Sequence, residues 1–242
     1  MNILLLGYGK MGRTIEQIAL DRGHQIVGRI DVNNRHELDQ LANEPGSVDA
    51  VIEFSTPDSV VPNLIYCLEH GWPVVCGTTG WLSHSPEIEK LCLERNGAFF
   101  YASNYSIGVN LFFRLNKTLA QFMRQYPSYH VSMTEIHHTE KKDSPSGTAI
   151  TLAEGIMGHL PGKTRWQERA DNEAKADDAV MIESLREGTV PGTHTIRYES
   201  DVDRIEISHV AHSRQGFALG ALIAAEWIVG KEGVFGMDDL LG

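Results

Sequence analysis

The chain has 242 residues, of which 42% are hydrophobic and 22% charged, so it can bury the core of one large or two small soluble domains. Its 21 basic and 32 acidic side chains give a formal charge of −11, which argues against a nucleic-acid or anionic-membrane surface. Three cysteines without C-x-x-C spacing, no basic leader and no apolar run of about 20 residues predict a cytoplasmic protein without disulfides, a thiolate zinc site or a membrane span.

The first part of the chain alternates short apolar runs with helical patterns. The segments predicted as buried strands are 3–6, 25–30, 49–54, 73–76 and 97–102, and those predicted as helices are 10–23, 59–71 and 85–97. In the first helix, Met11, Ile15, Ile18 and Ala19 follow the spacing of a face that packs on a sheet. The alternation predicts βαβ units and an α/β Rossmann domain with a doubly wound parallel sheet.

The stretch "GYGKMG" at 7–12 has the G-x-G-x-x-G spacing of a dinucleotide-binding loop. In that interpretation Gly7 permits the tight turn, Gly9 lets the backbone approach a pyrophosphate, and Gly12 lets the helix sit close to the strand. Free N–H groups at the helix start then face the phosphates. Asp31, at the end of the second predicted strand, is placed to bind a ribose 2′-hydroxyl. The alternative is a glycine-rich turn in a domain that binds no nucleotide.

Two further turns follow predicted strands, at the edge where open α/β sheets bind ligands. They are "CGTTG" at 76–80 and "ASNYS" at 102–106. Either one alone is more often a simple turn, but both lie at the correct end of the sheet. Their small hydroxyl and amide side chains are therefore predicted to reach the nicotinamide or its ribose.

The pattern changes near residue 106. A long helix at 108–126 and a strand at 129–138 precede a helix at 148–160, a polar segment at 162–178 predicted to be a mobile loop, strand-like runs at 179–187, 193–200 and 203–212, and an apolar helix at 216–230. This predicts a second, α+β domain with a mixed sheet. The predicted domains are 1–106, completed by 214–242, for dinucleotide binding, and 107–213 for substrate binding and oligomerisation.

The stretch "EIHHTEKKDSPSGTA" at 135–149 is basic in an acidic chain. A strand ending at the two histidines, followed by Ser-Gly-Thr at a helix start, would bring titratable side chains and free N–H groups to one anion site. The alternative is a solvated basic loop with ordinary helix capping. Adjacent histidines make a poor metal site, and His209 and His212 are also a poor pair, so no metal is predicted.

These stretches together resemble one family, the 4-hydroxy-tetrahydrodipicolinate reductases, also called dihydrodipicolinate reductases, of bacterial and plant lysine and diaminopimelate biosynthesis. The resemblance rests on "GYGKMG", "CGTTG", "ASNYSIGVN" and above all "EIHHTEKKDSPSGTA", and it extends over essentially the whole chain. It implies reduction of a cyclic dicarboxylate to tetrahydrodipicolinate by a homotetramer that uses NADH or NADPH.

The resemblance also implies roles for individual residues. The implied catalytic residues are His137, a proton donor or acceptor, and Lys141, the proton donor. The implied substrate-binding residues are His138, Ser146, Gly147 and Thr148. The implied cofactor-binding residues are Gly7, Tyr8, Gly9, Lys10, Met11, Gly12, Asp31, Gly77, Thr78, Thr79, Ala102, Ser103, Asn104 and Tyr105. Lys142 is predicted to be a solvent-facing neighbour.

One departure from the family concerns the cofactor. Many members have an arginine after the ribose-binding acid, where this chain has Val32, and Arg29 or Arg35 is the nearest substitute. We therefore expect a preference for NADH or use of both cofactors. Two rival functions share the glycine loop: another Rossmann reductase, such as an aspartate or sugar dehydrogenase, and a non-catalytic NAD(H) sensor. The first has no need of the basic stretch, and the second predicts that its residues are damaged.

Overall fold

The computed structural model describes residues 1–44, 46–169, 176–213 and 215–242. The strands are β1 (Asn2–Leu6), β2 (Gln25–Ile30), β3 (Ala50–Glu53), β4 (Val74–Cys76), β5 (Ala98–Tyr101), β6 (His130–His137), β7 (Arg165–Glu168), β8 (Ala179–Arg186), β9 (Thr193–Glu199), β10 (Arg204–Val210) and β11 (Gly233–Phe235). The helices are α1 (Lys10–Asp21), α2 (Leu38–Ala42), α3 (Pro57–Glu69), α4 (Ser85–Glu94), α5 (Ile107–Met123), α6 (Gly147–Met157), α7 (Gln215–Ile228) and α8 (Met237–Leu241). Within the described ranges, no helix is both long enough and apolar enough to cross a membrane.

The chain divides into two compact units. The first comprises Met1–Ile107 and Gln215–Gly242, and the second comprises Gly108–Arg214. In the first unit, a six-stranded sheet has the order β11-β5-β4-β3-β1-β2, and all its pairings are parallel. The strand order reverses at β1, which lies between β2 and β3. The predicted Rossmann-type sheet is confirmed, and its ligand crevice is expected at the carboxyl ends of these strands.

Both faces of the first sheet are covered by helices. On one face Leu5 packs with Ile15 of α1 and Ala221 of α7. On the other, Leu4 packs with Leu64 of α3 and with residues of α4. Successive side chains of a strand point to opposite faces, so an unbroken apolar run such as β1 fills both layers.

The sheet of the second unit has the order β10-β9-β6-β8-β7. The β10–β9 and β9–β6 pairings are antiparallel, and the β6–β8 and β8–β7 pairings are parallel, so the predicted mixed sheet is confirmed. Helices α5 and α6 contribute to the core on this sheet. The buried row of β6 consists of Val131, Met133, Glu135 and His137, and thus turns from apolar to polar at its carboxyl end.

Two predictions of local structure need correction. The segment 162–178 is not entirely a loop, because Arg165–Glu168 forms β7 and pairs with β8 at the edge of the sheet. An edge strand this polar lacks the alternation that marks a strand in sequence. Residues 170–175 of that segment lie outside the described ranges. The sequence analysis also missed β11 and α8, which are three and five residues long and too short to show a period.

Candidate functional site

The three glycines of "GYGKMG" have different surroundings. Gly7 has a φ of +90°, and a Cβ placed on it would lie 2.0 Å from the carbonyl oxygen of Phe54. A Cβ on Gly12 would lie 2.5 Å from the carbonyl oxygen of Gly7. A Cβ on Gly9 would meet no atom within 4 Å. The fold therefore requires Gly7 and Gly12, whereas the space beside Gly9 is open to a ligand.

A cavity of about 360 Å³ opens beside this loop in the first unit. Its lining comes from the carboxyl ends of β1, β2 and β3 and from the start of α3: Leu6, Gly7, Tyr8, Gly9, Ile30, Asp31, Val32, Arg35, Phe54, Ser55, Thr56, Ser59 and Asn63. This position is the reversal of strand order, where nucleotides bind in doubly wound folds. An open cradle at Gly9 beside the start of α1 fits a dinucleotide pyrophosphate.

Asp31 is fixed in a local turn at the cavity. Its Oδ1 accepts a hydrogen bond from the backbone N–H of Asn33 at 2.7 Å, and its own N–H donates to Asn34 Oδ1 at 2.8 Å. Oδ2 has no hydrogen bond within the described residues. A carboxylate held this way at the end of β2 suits a ribose hydroxyl.

The two candidate arginines are placed differently. Arg29 donates to Glu16, with Nε at 2.7 Å from Oε1, and this bond lowers the pKa of the Glu16 carboxyl below its usual range. Arg35 lines the cavity, and its guanidinium donates to the side-chain oxygen of Asn63. Of the two, only Arg35 belongs to the cavity lining, so it is the better candidate for a contact with the cofactor.

A buried carboxylate organises the same end of the sheet. Glu53 at the end of β3 is 0% exposed and accepts hydrogen bonds from Thr78 Oγ1 at 2.7 Å, from Asn63 Nδ2 at 3.3 Å and from the Ser55 hydroxyl. The network ties the turns after β3 and β4 to α3, and through Asn63 to Arg35. The sequence analysis missed it, although "FSTP" at 54–57, small hydroxyls between a strand and a proline-initiated helix, was the available signal.

Other predicted cofactor residues have packing roles. Thr78 is buried and bonded to Glu53, and a Cβ on Gly77 would lie 2.2 Å from the Phe54 ring. Tyr105 is buried, and its hydroxyl donates to the Cys76 carbonyl at 2.7 Å. The remaining predicted residues are exposed or half-buried, except Gly12 and Ala102, which are buried, and none lines the cavity among the described atoms: Lys10, Met11, Gly12, Thr79, Ala102, Ser103 and Asn104.

In the second unit, the basic stretch begins where β6 ends. His137 is the last residue of the strand, and a turn follows in which the Lys141 N–H donates to the His138 carbonyl at 3.1 Å. The Lys141 ammonium donates to both oxygens of Asp143, at 2.8 and 2.7 Å, and this bond lowers the pKa of Asp143. Lys142 is exposed, as predicted. The strand end thus brings His137, His138 and Lys141 to one end of the sheet.

The Ser-Gly-Thr segment starts α6. Ser146 is its N-cap: the hydroxyl accepts from the Ala149 N–H at 3.2 Å, and the Ser146 N–H donates to Glu135 Oε1 at 3.0 Å. Ser146 is therefore buried and committed inside the protein. The N–H groups of Gly147 and Thr148 are at the first turn, where a helix supplies no partner, so these are the donors available to a carboxylate.

Glu135 lies at the centre of a buried polar cluster. It is 0% exposed, and Oε1 is 3.4 Å from both terminal nitrogens of Arg186. Oε2 lies 3.1 Å from His137 Nδ1 and 3.7 Å from His194 Nε2. Burial raises the pKa of the Glu135 carboxyl, but hydrogen bonds from His137 and Ser146 outweigh this effect and bring the pKa to about 2. Burial also lowers the pKa of His194 to about 4, so this imidazole is neutral at pH 7.

Comparison with known proteins identifies the family. The sequence pattern described as "Dihydrodipicolinate reductase, N-terminus" matches residues 1–105, and that described as "Dihydrodipicolinate reductase, C-terminus" matches residues 108–241. The chain belongs to the dihydrodipicolinate reductase family.

Individual relatives agree with this assignment. A 4-hydroxy-tetrahydrodipicolinate reductase from Christiangramia forsetii is 48% identical, covering 100% of this chain and 98% of that protein. One from Methanosarcina mazei is 33% identical, with coverage of 100% and 99%. A dipicolinate-bound dihydrodipicolinate reductase from Paenisporosarcina sp. TG-14 has a similar fold, with a TM-score of 0.79, 21% identity and 99% coverage of both chains.

The register of the second sheet explains why this family member's cluster was only partly predicted. Glu135 of β6 lies opposite His194 of β9, and His137 lies opposite Arg186 of β8. Glu135 was detectable, because strand residues two apart share a face and "EIH" places it beside His137. His194 and Arg186 lie about 50 residues away in sequence and are brought in by strand pairing alone.

The same cluster bears on metal binding in this reductase. The donor atoms of Glu135, His137 and His194 lie within 4.8 Å of one another, so the described residues do contain one candidate grouping. Arg186 beside the carboxylate already supplies a positive charge and would repel a dication. The residues present are better described as a hydrogen-bonded carboxylate–imidazole cluster.

Replacing His194 is expected to flatten the acid dependence of stability. The pKa of His194 falls from 6.5 unfolded to about 4 folded, so the unfolded chain binds the extra proton, and stability is lost as pH falls from 6.5 to 4. The predicted contribution is about 2–3 kcal/mol. Urea unfolding of His194→Gln across this range should show a smaller slope than the wild type. His212→Gln, at an exposed site, is the matched control, and an unchanged slope in His194→Gln would contradict the prediction.

Proposed function

We propose that this chain catalyses the NAD(P)H-dependent reduction of 4-hydroxy-tetrahydrodipicolinate, through dihydrodipicolinate, to tetrahydrodipicolinate in lysine and diaminopimelate biosynthesis. The observation that carries the proposal is the end of β6, where His137, His138 and Lys141 lie close to the open N–H groups of α6. A cyclic dicarboxylate needs both positive charge and N–H donors in a protein that is otherwise acidic. A sensor that had lost catalysis would not need to keep these groups intact.

The cofactor is assigned to the first unit. Gly7 to Gly9 and Asp31 would hold the pyrophosphate and the ribose in the cavity, and bound NADH or NADPH would supply the hydride. Arg29 is engaged by Glu16, and Val32 at the cavity is 81% exposed and apolar. Arg35 is the guanidinium in the cavity lining, and its bond to Asn63 holds it there. These contacts support use of NADH, or of both cofactors.

The substrate and the protons are assigned to the second unit. Gly147 and Thr148 would bind a substrate carboxylate through their N–H groups, and His138 would contact the ring. Lys141 would donate the proton that completes the reduction, while His137 polarises the ring or relays that proton. Ser146 would act through the cap of α6, because both its N–H and its hydroxyl already have partners inside the protein. We further propose that the enzyme is a cytoplasmic homotetramer.

The decisive experiment mixes the protein with NADH or NADPH and the condensation product of pyruvate and aspartate semialdehyde. Nicotinamide absorbance should fall only when all components are present, and NADH should support turnover at least as well as NADPH. Omission of each component in turn is the control. No loss of absorbance with either cofactor would overturn the assignment, and a strong preference for NADPH would overturn the cofactor part alone.

A further inference from the structure

The inference concerns how His137 is held, and it rests on the proposed function of this residue in proton transfer. The two oxygens of the Glu135 carboxylate face different groups. Oε1 accepts the Ser146 N–H at 3.0 Å and faces Arg186 at 3.4 Å. Oε2 is left for the imidazoles, with His137 Nδ1 at 3.1 Å and His194 Nε2 at 3.7 Å. The carboxylate is therefore anchored on one side and free to orient a ring on the other.

Neither His137 Nδ1 nor Glu135 Oε2 has an aligned hydrogen-bond partner among the described residues. Their separation of 3.1 Å is short enough for a bond once the ring turns slightly. Catalytic hydrogen bonds are often bent before a ligand binds and tighten afterwards. An ionised carboxylate only accepts, so the pair places the proton of a neutral His137 on Nδ1.

The far side of the His137 ring is kept open by a glycine. A Cβ on Gly192 would lie 3.1 Å from His137 Nε2, closer than most side chains tolerate. The ring of His194 packs edge-on against that of His137, with centroids 5.1 Å apart and planes at 73°. The ring of His194 is held by Ser146 Oγ, 3.2 Å from its Nε2. Three groups on three elements thus restrict the His137 ring.

We propose that Glu135 and His194 are positioning residues for His137: Glu135 fixes the proton on Nδ1, His194 fixes the ring plane, and Nε2 is thereby presented to the substrate for proton transfer. Other charged groups near Glu135 are Arg186 on β8 and the Lys141–Asp143 pair after β6. Arg186 also donates to the Asp143 carbonyl at 2.7 Å, so it joins the carboxylate to the segment that carries Lys141.

The test is Glu135→Gln, which keeps the shape of the side chain. Its amide oxygen can still accept from Ser146, but its NH₂ group then faces His137 Nδ1 and favours the Nε2–H tautomer, which is wrong for the proposed role. We expect kcat to fall by about 100-fold or more, with KM for NADH within about twofold of wild type because the cofactor cavity is in the other unit. Glu206→Gln, which removes an exposed carboxylate of the same sheet, should leave kcat unchanged.

A purely structural role would not move the histidine tautomer, so the second readout is ¹⁵N NMR of histidine-labelled protein. Wild type should show His137 protonated on Nδ1, and Glu135→Gln should show it protonated on Nε2. A wild-type Nε2–H tautomer, or full turnover in Glu135→Gln, would overturn the proposal. If the wild type proved inactive toward the dicarboxylate, the proposed function would fail, while the tautomer measurement would still decide the role of Glu135.

Discussion

Lys141→Ala is expected to lower kcat by about 100-fold or more, the usual effect of removing a general acid. The variant should fold normally, because the Lys141 ammonium pairs with Asp143, whose side chain is 60% exposed, and exposed ion pairs contribute little to stability. The dissociation constant of NADH should stay within about twofold of wild type, since the cofactor cavity is lined by other residues of the first unit. Steady-state kinetics and a fluorescence titration of NADH measure the two effects.

Two further variants separate the proton from the charge. Lys141→Arg keeps the positive charge but gives up a proton far less readily, so kcat should fall while KM for the dicarboxylate stays near its wild-type value. Lys142→Ala is the matched control, because it removes the neighbouring exposed lysine. Greater damage from Lys142→Ala than from Lys141→Ala would show that the two lysines have been assigned in the wrong order.

The parallel sheet was predictable because its signals are local. Each strand of the first unit is an apolar run, and α1 carries the spacing that places Ile15 and Ala19 in the core, where the structure has them. The errors fall where a short or polar element has no period of its own. Both β7 and β11 form through pairing with a neighbour, which the sequence does not display.

The candidate sites divide along the same line. "GYGKMG" and "EIHHTEKKDSPSGTA" are contiguous, so their positions at strand ends followed from the pattern of strands and helices. Long-range contacts supply the rest: Glu53 reaches Thr78 across two strands, and Glu135 reaches His194 through the register of β6 and β9. Buried polar residues such as these give no periodic signal, because each is accommodated by its partners.

Gly9→Ala is expected to weaken NADH binding by about tenfold or more while leaving the fold intact. An added Cβ meets no protein atom within 4 Å, and the φ of −85° suits alanine, so the free energy of unfolding should change by less than about 0.5 kcal/mol. The same methyl group would occupy the space through which a pyrophosphate approaches the backbone. Titration with NADH and urea unfolding of the same variant measure the two quantities.

Gly7→Ala is the matched variant with the opposite outcome. Its Cβ would lie 2.0 Å from the Phe54 carbonyl oxygen, and its φ of +90° is strained for alanine, so the variant should lose about 3 kcal/mol or more of stability. A dinucleotide loop thus contains one glycine that the fold requires and another that the ligand requires. If Gly9→Ala bound NADH as tightly as wild type, the pyrophosphate would not approach this loop, and the assignment of the cavity to the cofactor would fail even though the fold stands.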